Sequence, residues 1–346
     1  MLRTNAILLG IAVLLGVGPL AMRAIAQPLP YTGVNLAGGE FYDPNKIAEP
    51  KFGTNFIYPN DAQFEYFATK GMNIFRVCFL WETLQPKAKE PFRPAEIDRL
   101  KAVVKSGTDK GLIVILDPHN YARYFGKVVG GPEVGFDVFA DFWSRLAGEF
   151  KDNDKVWLGL VNEPHDLPAE QWLSAANAAI AAIREAGAKN RILVPGNAYS
   201  GASSWTADWY GGANGIWMLK IVDPLDNYVF EVHQYLDSDC SGSHPQVVSP
   251  TVGSERLKPF VQWCREHKKK GFLGEFGVAA SEDGQKAVED MLVSMEKDRD
   301  VWEGFTWWSA GAWWGDYMFN LEPKDGKDRP QMAWLVPHLQ KPKAPQ

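Results

Sequence analysis

The sequence has only three cysteines, Cys78, Cys240 and Cys264, in 346 residues, and no C-x-x-C pair. That count excludes a disulfide-dense scaffold and a cysteine-based zinc module. It has no run of five or more basic residues. Lys268 to Lys270 is the densest basic stretch, and the net charge is −6. Nucleic acid and an anionic membrane surface are therefore excluded as partners on charge. After the N-terminus no apolar run is long enough to span a bilayer. No Pro/Thr/Ser-rich linker and no internal repeat divides the chain. One catalytic-sized domain over 27–346 is the simplest organisation, with a Pro/Lys-rich tail, 341–346, expected to fray.

What is abundant is tryptophan, with 14 residues, in a chain that is 46% hydrophobic. Most tryptophans pack in cores. An excess crowded into loops points instead to flat surfaces that stack on a partner, and sugar rings are the common flat, neutral partner. The N-terminus reads as an export signal over 1–26. Arg3 supplies the positive start, Ala6 to Met22 the apolar run, and Ala24-Ile25-Ala26 the small-x-small cleavage site. An uncleaved anchor is the alternative, because the run approaches spanning length. With cleavage the mature chain starts at Gln27, lacks a lipidated cysteine there, has no stable membrane association, and is secreted or periplasmic. Cys78 lies in an apolar run and is expected to act as a small hydrophobe. Cys240 and Cys264 could pair in an exported protein or remain free.

Eight short β-branched or aromatic runs recur: 31–36, 73–79, 112–116, 156–161, 191–194, 228–232, 271–274 and 305–308. Helical stretches lie between most of them, at 60–70, 94–110, 136–150, 169–187, 253–269 and 283–298. Apolar strands alternating with helices imply a parallel sheet covered by helices. Eight units in one domain of this length predict an α/β fold, a closed (β/α)8 TIM barrel. The segment 197–226 is Gly/Trp-rich and is expected to be an enlarged loop without a clear helix.

In such a barrel the chemistry sits at the C-terminal ends of the strands. Arg76 is a charge inside the second run and needs an anionic partner if buried. The third run ends in Asp117-Pro118-His119, where His119 is either a cap or a functional group. The fourth ends in Asn162-Glu163-Pro164, placing a carboxyl in a half-desolvated position suited to proton donation. The sixth ends in His233-Gln234-Tyr235, whose His and Tyr share a face. A Tyr hydroxyl there could hydrogen-bond a carboxylate. The seventh contains Gly274-Glu275-Phe276-Gly277, and the flanking glycines are expected to leave room for a ligand above Glu275. Glu275 could equally be a buried partner of Arg76, which is compatible with a nucleophile held charged. The eighth ends in Trp307-Trp308, of which one should face the axis.

These residues resemble the retaining glycosidases built on (β/α)8 barrels, and more closely glycoside hydrolase family five, the cellulase family. Arg76, His119, Asn162, Glu163, His233, Tyr235, Glu275 and Trp308 match the family's active-site residue types in chain order. The resemblance implies that Glu163 is the general acid/base and Glu275 the nucleophile. It implies that Asn162 bonds a sugar 2-hydroxyl and that Tyr235 and Arg76 orient Glu275. His119 and His233 would bind sugar hydroxyls or tune Glu163. Trp308 would be the stacking platform, with Trp307 as the alternative register. The stretches 200–205, 233–239 and 313–317 resemble endo-acting cellulases, which implies β-1,4-glucan as the polysaccharide substrate. The absence of a cellulose-binding module departs from that group and points to soluble or amorphous glucan. Trp205, Trp209, Trp313 and Trp314 could line the cleft or shield the loop core. No cofactor, no metal and a monomeric chain are expected.

Three rival readings draw on the same residues. A metal-dependent barrel hydrolase could use His119, His233, Glu163 and Glu275 as ligands, but the first run, Gly33-Val34-Asn35-Leu36, lacks the His-x-His such sites need. A non-catalytic polysaccharide-binding barrel would not require both glutamates with Asn162 and Tyr235. The same mechanism on mannan, xyloglucan or mixed-linkage glucan stays open, because specificity lives in loops.

Overall fold

The computed structural model describes residues 27–341. The proposed signal segment, 1–26, and most of the tail, 342–346, lie outside the described residues. Eight parallel strands close into a barrel. They are β1 (Tyr31–Gly39), β2 (Ile74–Phe79), β3 (Ile113–Pro118), β4 (Val156–Gly159), β5 (Ile192–Pro195), β6 (Tyr228–His233), β7 (Gly271–Glu275) and β8 (Trp302–Ala310). Each pairs with its sequence neighbours, and β1 closes on β8. Six helices cover the barrel: α1 (Asp61–Thr69), α2 (Pro94–Thr108), α3 (Phe136–Phe150), α4 (Ala169–Glu185), α5 (Val252–His267) and α6 (Glu282–Lys297).

Local sequence explains these elements. Asn60 and Gln63 form a reciprocal capping box at the start of α1. On α3 the buried residues Phe139, Phe142, Trp143, Leu146, Ala147 and Phe150 recur at three- and four-residue spacing, which lays one apolar stripe on the barrel. Ser281 accepts from the Gly284 amide and starts α6.

The barrel interior is layered by the two-residue period of a strand. Ile74, Ile115, Trp157, Leu193, Val229 and Phe272 form an apolar cluster of their own, separate from the main core between strands and helices. Two residues further along the same strands come Arg76, Asp117, Gly159, Pro195, Glu231 and Gly274. The layer above the apolar plug is therefore charged, and small residues leave space for it. A further step along β3 and β6 reaches His119 and His233 at the mouth.

The loop at 196–227 holds only short turns, Ala198–Ser200, Asn214–Trp217 and Met218–Lys220, as its composition predicts. A small hairpin (Arg123–Tyr124 with Lys127–Val128) and a C-terminal helix at Pro330–Leu335 have no counterpart in the sequence reading. His338, just beyond that helix, is held between Glu296 and Glu289 of α6 at 2.9 and 3.0 Å and ties the chain end to the barrel.

The open pairing of Cys240 with Cys264 is not made; both are free thiols. Cys264 is buried near the far end of α5. Twelve residues of helix, about 18 Å, separate it from Val252 at the end where the loop holding Cys240 joins. Trp205 is also no cleft residue. It is fully buried against Phe230, Phe260 and Trp263, with ring centroids 5.6, 5.0 and 5.3 Å away.

Candidate active site

Arg76 sits at the centre of the charged layer, fully buried. Its Nη1 lies 2.9 Å from Asp117 Oδ2 and 3.0 Å from Glu275 Oε1, and its Nε lies 2.9 Å from Glu231 Oε1. It also donates to Asn35 Oδ1 at 2.9 Å and to Asn162 Oδ1 at 2.8 Å. Burial alone would lower the guanidinium's pKa, but Asp117, Glu231 and Glu275 outweigh it and hold it charged. Burial likewise opposes ionisation of Asp117, and Arg76 and His119 more than offset it.

Glu275 ends β7 and is almost wholly enclosed. Besides Arg76, it accepts from the Tyr235 hydroxyl, 2.7 Å from Oε2. Burial pushes its carboxyl up, and the nearby Glu163 pushes the same way. His233 and Arg76 pull it down without cancelling the rise. Tyr235 is raised by burial and by Glu275, so its hydroxyl stays a donor. The flanking glycines do not make room for a ligand, as the sequence suggested. A Cβ on Gly274 would lie 2.2 Å from Glu231 Oε1, and one on Gly277 would lie 2.5 Å from the Trp308 carbonyl oxygen. Both glycines admit the protein's own groups.

Glu163 follows β4 at the mouth and is partly exposed. Its φ is +40°, an uncommon conformation for a non-glycine residue and a local strain that recurs at functional sites. His233 Nδ1 lies 2.7 Å from Glu163 Oε1 and 3.6 Å from Glu275 Oε2. Burial would lower His233, but Glu275 and the bonds to Glu163 and Glu231 push it up to about 10. One oxygen of each glutamate and one His233 nitrogen all lie within 4.8 Å of one another.

His119 faces inward and has no free ring nitrogen. Nδ1 lies 2.8 Å from Asp117 Oδ2, and Nε2 lies 3.1 Å from Asn162 Nδ2. Burial would lower its pKa, but Asp117 outweighs burial and raises it. Asn162 Oδ1 is already taken by Arg76, so its amide nitrogen must donate to Nε2. The network therefore accepts His119 as the neutral ring with its proton on Nδ1. His119 orients Asn162 rather than reaching Glu163. Of the two strand-end tryptophans, Trp307 is buried and donates to the Phe319 carbonyl at 2.8 Å. Trp308 is the one at the mouth, stacked on His119 at 5.2 Å and 18°.

The remaining loop aromatics divide by side. Trp314 packs edge-on against Trp308 and against Phe41, with Trp313 beside it partly exposed. Next to Glu163, His165 stacks on Tyr199 at 4.3 Å and 12°, with Tyr121 edge-on to His165. Trp209 is half exposed near that cluster, packed against Tyr210. Tyr121, His165 and Tyr199 carry no mark in the sequence beyond being loop aromatics. Glu231 and Asn35 do: each is a polar residue inside an apolar run, the signal that singles out Arg76.

Among the described residues, three groups of side chains have metal-ligand geometry: Cys78 with Asp117 and His119, Glu163 with His233 and Glu275, and Asp237 with Asp239 and His244. Arg76 already places a cation on Asp117 and on Glu275. Asp237 is taken up by the amides of Gly242, Ser243 and His244. The chemistry these groups support is that of hydrogen-bonded acids and bases.

Two carboxyls facing each other this closely across a barrel mouth, one beside an arginine and a tyrosine and the other on a histidine, define a retaining glycosidase site. Residues 31–311 match the cellulase model of glycosyl hydrolase family 5, and the chain belongs to that family. It is 40% identical over 302 residues to an endo-beta-1,4-glucanase B of Aspergillus niger, covering 87% of each chain. The structure is similar to XacCel5A solved with cellopentaose, with a TM-score of 0.87, 48% identity, and 90% and 99% of the two chains covered. It is similar to the endo-beta-1,4-glucanase Xac0029 of Xanthomonas axonopodis pv. citri, with a TM-score of 0.88, 43% identity, and 91% and 99% covered.

Arg76→Met would strand three carboxylates in the barrel. The expected loss is about 3–5 kcal/mol of stability, read as a lowered denaturant midpoint. An unchanged midpoint would mean that the charged layer does not depend on Arg76.

Proposed function

We propose that the protein is an endo-β-1,4-glucanase that cleaves soluble or amorphous β-glucan with retention of configuration. The observation that carries this reading is that one oxygen of Glu163 and one of Glu275 lie within 4.8 Å of each other, in unlike surroundings. Retaining enzymes hold the two groups about 5–5.5 Å apart, whereas inverting enzymes leave room for a water at about 6.5–9.5 Å. The names of the relatives and the cellopentaose complex support the choice of glucan.

In the first step a Glu275 oxygen forms a bond to the anomeric carbon as the glycosidic bond breaks, and Glu163 gives its proton to the departing oxygen. In the second, Glu163 takes a proton from water, the water oxygen bonds to the anomeric carbon, and the ester to Glu275 breaks. Arg76 and Tyr235 hold Glu275 on aim for attack. Asn162, fixed by Arg76 and His119, presents its amide edge to the sugar beside the bond being cut. The leaving chain departs on the Glu163 side, where His165 and Tyr199 form a flat platform. The retained sugar lies toward Trp308. All of these groups come from one chain, in keeping with a monomer.

Cellopentaose hydrolysis followed by proton NMR should yield the β anomer first. An α anomer first would refute the mechanism. Across carboxymethylcellulose, mannan, xylan and lichenan, the first should be cut with a fast fall in viscosity; preference for mannan or xylan would move the substrate assignment and leave the mechanism intact. A polymer substrate is met outside the cell, which agrees with export, and N-terminal sequencing of the exported protein should begin at Gln27. A start at Met1 would favour the anchor.

A further inference from the structure

Glu231 is buried beneath the reacting groups and touches no position where a sugar could lie. Its Oε1 serves two partners, Arg76 Nε at 2.9 Å and His233 Nε2 at 3.4 Å, while its Oε2 has no partner. Space for this carboxylate is built into the neighbouring strand β7, since Gly274 lacks the Cβ that would strike it. Its backbone is held as well. The Ser200 hydroxyl donates to the Glu231 carbonyl from a turn in which Ala198, Tyr199 and Ser200 all have φ between 54° and 58°. Three consecutive left-handed non-glycine residues are strained, and the surrounding structure holds them there.

We propose that Glu231 is a positioning residue: from below it holds His233 Nε2–H, aims Nδ1–H at the two reacting glutamates, and so keeps His233 a fixed cation in both displacement steps. Both ring nitrogens face carboxylate oxygens. With the acid proton of Glu163 on Oε2 before the first step, and with Glu163 ionised after it, Oε1 is an acceptor throughout, and the doubly protonated ring then satisfies both carboxylates. The groups facing the ring are Glu231 from β6, Glu275 from β7 and Glu163 from the loop after β4. Arg76 of β2 reaches it only through Glu231, Tyr235 only through Glu275, and His119 with Asp117 of β3 lies across the site. The elevated pKa of His233 agrees with this setting.

The consequence is a matter of charge. Before the first step the negative charge of the pair is on Glu275 and the proton on Glu163. After it, Glu275 is an uncharged ester and Glu163 is the carboxylate. One negative charge has moved across the site while His233, 3.6 Å from the first oxygen and 2.7 Å from the second, stays put. A histidine without an anion behind it could exchange its proton with Glu163 and blur that transfer.

This rests on the roles given above to Glu163 and Glu275, but the decisive readout is the state of His233 itself, which needs no turnover. In 15N-histidine NMR of the whole protein, His233 should be doubly protonated through neutral pH and lose a proton at lower pH in Glu231→Gln. Removing an anion favours the neutral ring, so the alkaline limb of kcat/KM should move down in pH. With cellopentaose, kcat should fall on the order of tenfold or more, with KM within about twofold. In a His233→Asn background, Glu231→Gln should cost little further, because the two act as a unit. Should Glu231→Gln fail to fold, Gly274→Ala displaces the same carboxylate without removing its charge and should move the same limb. A His233 that stays doubly protonated in Glu231→Gln with an unmoved limb, or an equal cost in both backgrounds, would overturn the proposal.

Discussion

A guanidinium buried in the middle of a barrel must find its counter-charges within the barrel. Arg76 finds three, on Asp117, Glu231 and Glu275, and adds Asn35 and Asn162. Removing these ions from water costs several kcal/mol each, and only close contacts between opposite charges return that cost. The arrangement is therefore rigid. It fixes where the end of β7 points Glu275, where the amide of Asn162 sits, and which face of β6 carries Glu231 and His233. Glu275 and Asn162 touch Arg76 directly, Tyr235 and His233 lie one contact beyond, and Glu163 and Trp308 one further.

The rest of the interior is shaped around that layer. Below it the apolar cluster of Ile74, Ile115, Trp157, Leu193, Val229 and Phe272 closes the barrel and keeps the charges dry. Within it Gly274 yields space to the Glu231 carboxylate. Above it, the side chains proposed to meet the polymer stand on loops with strained backbone, Glu163 on one and Tyr199 on another. Strain is tolerated there because the layer beneath does not yield. The two glutamates thus differ by support: Glu275 is gripped from below by Arg76 and Tyr235, while Glu163 stands at the solvent edge and touches only the histidine.

Much of this was legible in the sequence, for physical reasons. Each barrel strand is a short apolar run, and six helices fall within a few residues of the periodic stretches between them. Arg76 and Glu275 stand out because a charge in an apolar run has to be paired. Glu231 has the same mark in the run 228–232, and counting back two from His233 places it on the same face. What sequence could not sort were the loops, which have no period. Trp205 and Trp313 read alike, yet one fills the core under α5 and the other is exposed. The glycines beside Glu275 invite a reading as ligand space, but the groups they admit come from strands distant in sequence. Cys240 and Cys264 are near in sequence and separated by most of a helix in space. The carboxyl spacing itself follows from closing the barrel and has no local signature.

The central claim is that Glu275, held by Arg76 and Tyr235, forms a covalent bond to the sugar. Incubation with an activated aryl 2-deoxy-2-fluoro-β-cellobioside should accumulate the glycosyl-enzyme, and peptide mass spectrometry should place the sugar on Glu275. A sugar found on Glu163, or rapid turnover with inversion and no adduct, would contradict the account.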